Sequence, residues 1–154
     1  MQKYQLRNFF YTSIFYNKFL NKTMKHGKKE RFEIILLKVF LQIARYSKIS
    51  PFWYFFEILE KQRIYISFKR KIRKRKLQFT PFALRKLQQY WKAVSLFSMS
   101  VKLFPRKMPL MDKLFTCFSY YFNPARKSFL PGIQEKQRLY TLAIENRFLT
   151  HYRW

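Results

Sequence analysis

The chain has 154 residues, 49% of them hydrophobic and 21% aromatic, a composition that excludes a disordered basic tail and allows one folded domain with arms. Its 33 Lys and Arg against 7 Asp and Glu give a net charge of +26, so we expect a polyanion, either nucleic acid or an anionic membrane, to neutralise it. A single cysteine, Cys117, has no partner for a disulfide and is expected to be a small buried residue on a helix.

The first residues are basic and contain no acid, as mitochondrial import peptides do, but they are rich in aromatic side chains. We therefore interpret 1–16 as a basic arm, followed by a helical domain over 17–154. No membrane-spanning helix is predicted, because a span needs about 20 consecutive apolar residues. The longest apolar stretches are interrupted by Glu57 and Lys102.

Apolar residues at helical spacing predict a first helix that ends at Gly27, where glycine suits a left-handed backbone. A second helix is predicted to follow, with Phe32, Leu36 and Phe40 on one stripe. Lys28 and Lys29 then stand at a helix N-terminus, where the helix dipole disfavours cations. A phosphate group beside them would remove this conflict.

Ser50 and Pro51 form an N-cap and first-turn pair that predicts a third helix to about Glu60. The spacing then changes to the alternation of a strand, and the run KRKIRKRK follows at 69–76. We predict a two-stranded β-ribbon at about 63–80 whose basic tip is inserted among phosphates. A solvated loop or a nuclear-import-like run is the alternative.

Helical spacing returns at 84–94 and again after Pro109, and a last helix is predicted from about Ile133 to Phe148. The fold class is therefore mainly α, with a ribbon. Pro131-Gly132 is predicted to bound a loop before the last helix. The aromatic residues at helical spacing, Trp53 and Trp91 included, are expected in the core.

No arrangement of residues typical of catalysis is present, so the protein is not expected to be an enzyme or to bind a cofactor or metal. The glutamates spaced to share a helix face lie among Lys and Arg and are expected to form surface ion pairs. They are Glu30 with Glu33, and Glu57 with Glu60.

Both ends of the chain carry a motif that is similar to one known family. Residues 17–40 are similar to the pattern K-F-[IL]-N-x-x-M-x-x-G-K-K-x-x-A-E and match it at Lys18, Phe19, Leu20, Asn21, Met24, Gly27, Lys28, Lys29 and Glu33. The end of the chain is similar to A-N-R-x-F-x-H-[YF]-R-W and matches at Asn146, Arg147, His151, Tyr152, Arg153 and Trp154. In both motifs the chain resembles small-subunit ribosomal protein seven, a protein of the ribosomal head.

The middle of the chain resembles the family more loosely. Arg70, Lys71 and Ile72 fit the start of its hairpin, and Thr80-Pro81 fit the end. Arg73 and Lys74 replace two glycines of the family. Gln134–Gln137 stand where the family has a basic run, so basic contacts there are expected to be weaker.

The resemblance implies a bundle of about six helices with a protruding two-stranded β-ribbon and an architectural function. The implied partners are the 3′ major domain of small-subunit ribosomal RNA, neighbouring head and platform proteins including protein eleven, and transfer and messenger RNA near the exit site. The abundance of Phe, Tyr, Lys and Ile is typical of an AT-rich genome, so we expect an organelle-encoded gene and a mitochondrial protein. A plastid or a reduced bacterial genome would give a similar amino-acid composition.

Three groups of residues are predicted to contact RNA: the start of the second helix, the ribbon and the C-terminus. They are Lys28, Lys29, Arg31, Lys69, Arg70, Lys71, Arg73, Lys74, Arg75, Lys76, Arg147, His151, Arg153 and Trp154. Two other classes remain open: a cationic amphipathic membrane-associated protein, and a fragment of an RNA-processing enzyme such as an intron maturase, which would need acidic metal ligands.

Overall fold

The computed structural model describes residues 14–47, 50–73, 76–104, 108–123, 126 and 129–151, with the backbone alone at 73, 76 and 77. Within these ranges the chain forms six α-helices and one two-stranded antiparallel sheet, so the predicted mainly α fold with a β-ribbon is confirmed. No helix of the described ranges has the length and apolar character needed to cross a membrane.

The helices are α1 (Ile14–Thr23), α2 (Lys29–Ser47), α3 (Pro51–Gln62), α4 (Lys86–Leu103), α5 (Leu110–Phe122) and α6 (Pro131–Glu145). The strands are β1 (Ile66–Arg73) and β2 (Lys76–Ala83), and a short 3-10 helix, Arg147–His151, follows α6. Helix α1 thus begins three residues before the boundary expected at residue 17. The ribbon lies three residues later than predicted at each end.

The connection between α1 and α2 has a left-handed backbone at two successive residues, His26 with φ 53° and Gly27 with φ 69°. The prediction of a left-handed glycine at 27 is confirmed, but α1 ends earlier, at Thr23. The Thr23 hydroxyl donates to the carbonyl of Phe19 at 2.6 Å. This side-chain hydrogen bond competes with the backbone hydrogen bonds of the last helical turn. Gly27 therefore shapes the loop ahead of α2 and does not cap α1 directly.

The start of α3 is as predicted. The Ser50 hydroxyl accepts a hydrogen bond from the backbone N–H of Trp53 at 3.4 Å, and Pro51 occupies the first helical turn. Because the first N–H groups of a helix have no partner within it, this contact satisfies one of them.

The core is aromatic and centres on Phe97 of α4. The Phe97 ring stacks on Phe19 of α1, with the centroids 4.9 Å apart, and packs edge-on against Phe118 and Tyr121 of α5 at 5.0 and 5.3 Å. Phe55 of α3 completes the cluster at 6.4 Å. Since α1, α3 and α5 all pack their rings on it, α4 is the central helix of the bundle.

Two tryptophans expected in the core lie at the surface. Trp53 is 51% exposed and Trp91 is 40% exposed, so this expectation was wrong for both. The reason for Trp91 is the rotation of α4, which buries Val94, Phe97 and Val101 and turns Trp91 away from them. Helical spacing identified the helix but did not fix which face its neighbours would cover.

Gly132 lies in the first turn of α6 and not in a loop, which corrects the predicted boundary. It is buried, and its N–H donates to the Ser100 hydroxyl of α4 at 3.0 Å. A Cβ at this position would lie 2.3 Å from the carbonyl oxygen of Leu96. The absence of a side chain is therefore what lets α6 approach α4.

The ribbon pairs β1 with β2 from Ile66 opposite Ala83 to Arg73 opposite Lys76. Pro81 is within β2, where a two-stranded ribbon tolerates a missing N–H because one edge of each strand is free. The register leaves Lys74 and Arg75 between the strands, and both are outside the described residues.

Candidate nucleic-acid interface

The loop ahead of α2 contributes to a pocket of about 380 Å³ with four basic side chains in its lining. They are Lys25, Lys28, Arg31 and Lys113. The first three belong to the loop and the first turn of α2, whereas Lys113 comes from the first turn of α5. Packing of α2 against α5 therefore brings together cations that are more than eighty positions apart in the sequence.

No carboxylate is among the side chains that line this pocket, although Glu30 and Asp112 occupy the first turns of the two helices. The apolar part of the lining includes Phe32, Ile35 and Leu110. Four cations around an apolar floor can hold an anion such as a backbone phosphate, because charge-assisted hydrogen bonds from Lys and Arg are about twice as strong as neutral ones.

Two of the three residues predicted at this position, Lys28 and Arg31, line the pocket, and both are exposed. Lys29 is not among its lining residues; it is partly covered, and its N–H donates to the carbonyl of Gly27 at 2.8 Å. Lys28 thus lines the pocket, whereas its neighbour Lys29 forms the start of α2.

The ribbon has two unlike faces, because side chains alternate along a strand. Lys69 and Lys71 lie on one face, opposite Thr80 and Gln78 of β2. Arg70 lies on the other face with its guanidinium 6.0 Å from the ring of its partner Phe79.

Lys69 and Arg70 are exposed and Lys71 is partly buried. Arg73 and Lys76 are placed by their backbones at the ends of the strands, whereas Lys74 and Arg75 lie outside the described residues. The described part of the predicted ribbon site therefore offers cations on both faces.

The base of the ribbon is held by Arg63, between α3 and β1. Its guanidinium donates to the hydroxyls of Tyr65 at 2.9 Å and Tyr90 at 3.2 Å, and it lies 3.0 Å from a carboxylate oxygen of Glu60. These hydrogen bonds raise the pKa of Arg63 above its ordinary value. The Tyr90 hydroxyl also donates to Glu60, so this group of side chains connects α3, the segment just before β1, and α4.

The C-terminal cluster is the group Arg147, His151, Arg153 and Trp154, and its described part lies beside the ribbon because the 3-10 helix packs against β2. Asn146 ends α6: its side chain donates to the carbonyl of Leu142 at 2.9 Å. Arg147 and His151 follow and are both exposed. Arg153 and Trp154 lie outside the described residues. The structure therefore joins two sites that the sequence presents separately.

Three of the seven carboxylates form ion pairs with a basic residue three or four positions further along the chain. Glu57 pairs with Lys61 at 2.7 Å, Glu60 with Arg63, and Glu135 with Arg138 at 3.7 Å. The predicted ion pairing is thus confirmed for Glu57 and Glu60. Glu33 is instead buried, so its expected position at the surface was wrong.

Sequence reasoning did not include Lys25 and Lys113 among the site residues, nor a group of lysines that α1 and α4 bring together. That group is Lys18, Lys22, Lys92 and Lys102. A signal for it was present, since neither α1 nor α4 contains an acidic residue. Like charges four residues apart on a helix destabilise it unless something outside the helix compensates them.

No model of a known protein family matches the sequence, and no curated protein shows a significant match to it.

Proposed function

We propose that this protein is an architectural RNA-binding component of the small ribosomal subunit of an organelle, related to ribosomal protein seven. The observation that carries the proposal is the pocket in which Lys25, Lys28, Arg31 and Lys113 meet without a carboxylate in the lining. Motif resemblance at both ends of the chain, and a helical bundle with a basic ribbon, support the same conclusion.

In this function the pocket, the ribbon and the C-terminal cluster bind the 3′ major domain of small-subunit ribosomal RNA and organise the ribosomal head. Each phosphate contact releases counterions from the RNA, which gives affinity without reading the sequence. The ribbon is proposed to lie near exit-site transfer RNA and messenger RNA, and protein eleven is a proposed neighbour. The proposed compartment is the mitochondrion.

The pocket can be tested with Lys28→Ala/Arg31→Ala. If both side chains contact phosphates, the slope of log affinity against log salt should flatten by up to about 0.9 unit per lost contact. A matched control is Lys38→Ala/Arg45→Ala, since these two exposed cations lie on the same helix but outside the pocket. Equal slopes for the two variants would remove the pocket from the interface.

The cellular assignment is tested by sedimentation. The full chain should migrate with small ribosomal subunits in a gradient and lose that position when the RNA is digested. Recovery with membranes after ribosomes have been removed would instead favour the membrane-associated class, and would overturn the proposal.

A further inference from the structure

Helices α1 and α4 pack side by side and bring four lysines together along a face that also carries an exposed tryptophan, Trp91. The lysines are Lys18, Lys22, Lys92 and Lys102. The Lys18 ammonium lies 4.8 Å from the ring centroid of Trp91, within range of a cation–π contact. The Lys22 ammonium donates to the hydroxyl of Ser95, one turn further along α4.

The charge of this surface is not compensated within the described residues. No carboxylate there forms an ion pair with any of the four lysines, and neither helix contains an acidic residue. Burial lowers the pKa of Lys22, and repulsion from the other three lysines lowers it further. The free protein therefore holds like charges together at a cost that a bound polyanion would relieve.

Trp91 is the second part of the surface. It is 40% exposed, and the apolar side chain of Leu87, one turn earlier on α4, is exposed beside it. An aromatic ring among cations is the arrangement with which proteins hold unpaired nucleic acid, since bases stack on rings while Lys or Arg neutralise the backbone. A membrane surface is favoured less, because interfacial helices bury a broad apolar face, whereas the neighbours of Trp91 on this face include Lys18 and Ser95 as well as Leu87.

We propose that the α1–α4 face is a second RNA-binding surface that holds an unpaired RNA segment. In this arrangement the four lysines bind successive phosphates, and one base contacts the ring of Trp91. The proposal rests on the proposed function, but it adds residues and an RNA conformation, single-stranded and unstacked, that the pocket and the ribbon do not specify.

Affinity for a short oligouridylate tests the ring. Trp91→Ala should weaken binding by about fivefold or more, in keeping with the stacking contribution of a single base. Trp53→Ala is the matched control, because Trp53 is also an exposed tryptophan on a helix but has Glu57 one turn away. Circular dichroism establishes that both variants are folded.

A second variant keeps the test decisive if Trp91→Ala does not fold. Lys92→Ala/Lys102→Ala changes two exposed side chains and should flatten the salt dependence of oligouridylate binding, whereas Lys38→Ala/Arg45→Ala should not. In the Trp53→Phe/Trp154→Phe chain, Trp91 is the only tryptophan, and oligouridylate should quench its fluorescence.

The proposal is overturned if Trp91→Ala and Trp53→Ala bind oligouridylate equally and the Lys92→Ala/Lys102→Ala variant keeps the original salt slope. A blue shift of Trp91 emission on addition of anionic phosphatidylserine vesicles, without quenching by oligouridylate, would also overturn it. The proposed function is tested independently of these results. It stands if Lys28→Ala/Arg31→Ala weakens binding to structured ribosomal RNA, and it is wrong if the unaltered chain binds no RNA.

Discussion

The two glycines of the chain serve different purposes, and replacing each by alanine separates them. At Gly132 a Cβ would lie 2.3 Å from the Leu96 carbonyl oxygen and 2.4 Å from the Ser100 hydroxyl oxygen. Real Cβ atoms do not approach so closely, so α6 must shift away from α4. Overpacking of this kind costs about 1–3 kcal/mol, and loss of the hydrogen bond from Gly132 to Ser100 adds about 1 kcal/mol. We expect Gly132→Ala to lower the free energy of unfolding by about 2–4 kcal/mol.

Gly27→Ala is the matched variant. No atom lies within 4 Å of a Cβ built at Gly27, so its cost comes from the backbone at φ 69° alone. A left-handed conformation costs a residue with a side chain about 1–2 kcal/mol, and Gly27→Asn should recover part of this because asparagine tolerates that region. The change should remain confined to the exposed loop and leave the packing of α6 on α4 intact.

Urea denaturation followed by circular dichroism measures both variants. Urea is preferred to guanidinium chloride, because a salt would screen the repulsion among 33 basic residues and so change the quantity under study. The reasoning is refuted if Gly132→Ala costs no more than Gly27→Ala, since a 2.3 Å contact with backbone would then have been relieved without consequence.

Three further predictions concern the core and the ribbon. Burial raises the pKa of Cys117 to about 12, so this thiol should react with a disulfide reagent at pH 8 only after unfolding; rapid labelling of the folded chain would contradict its burial. Burial also raises the pKa of Tyr121 to about 12 from 10.0, so its contribution to stability is complete below pH 10 and is lost as the pH rises towards 12; Tyr121→Phe should show a shallower loss over that range. Tyr90→Phe removes hydrogen bonds to the charged groups of Arg63 and Glu60 and should speed hydrogen exchange at the base of the ribbon by about tenfold, the lower end of the effect of a hydrogen bond to a charged group; unchanged exchange would show that this group does not hold the ribbon.

Local rules let the sequence predict most of the fold. Hydrophobic spacing located the helices, Ser50-Pro51 gave the start of α3, and the change to alternation gave the ribbon to within three residues. The left-handed glycine at 27 was also predictable, because Gly27 follows the apolar stripe of the first helix and is one of only two glycines in the chain. These features depend on neighbours in the sequence, so composition and spacing suffice to find them.

The tertiary structure decided which faces meet. Trp91 and Phe97 are both aromatic residues of α4, and the positions of α1, α3 and α5 make one a surface ring and the other the centre of the core. Lys113 belongs to the pocket of Lys28 for the same reason. Such contacts join residues far apart in the chain, and they follow from how the helices fill space around one another. The sequence by itself determined that this protein is basic, helical and bears a ribbon, whereas packing determined where its cations converge.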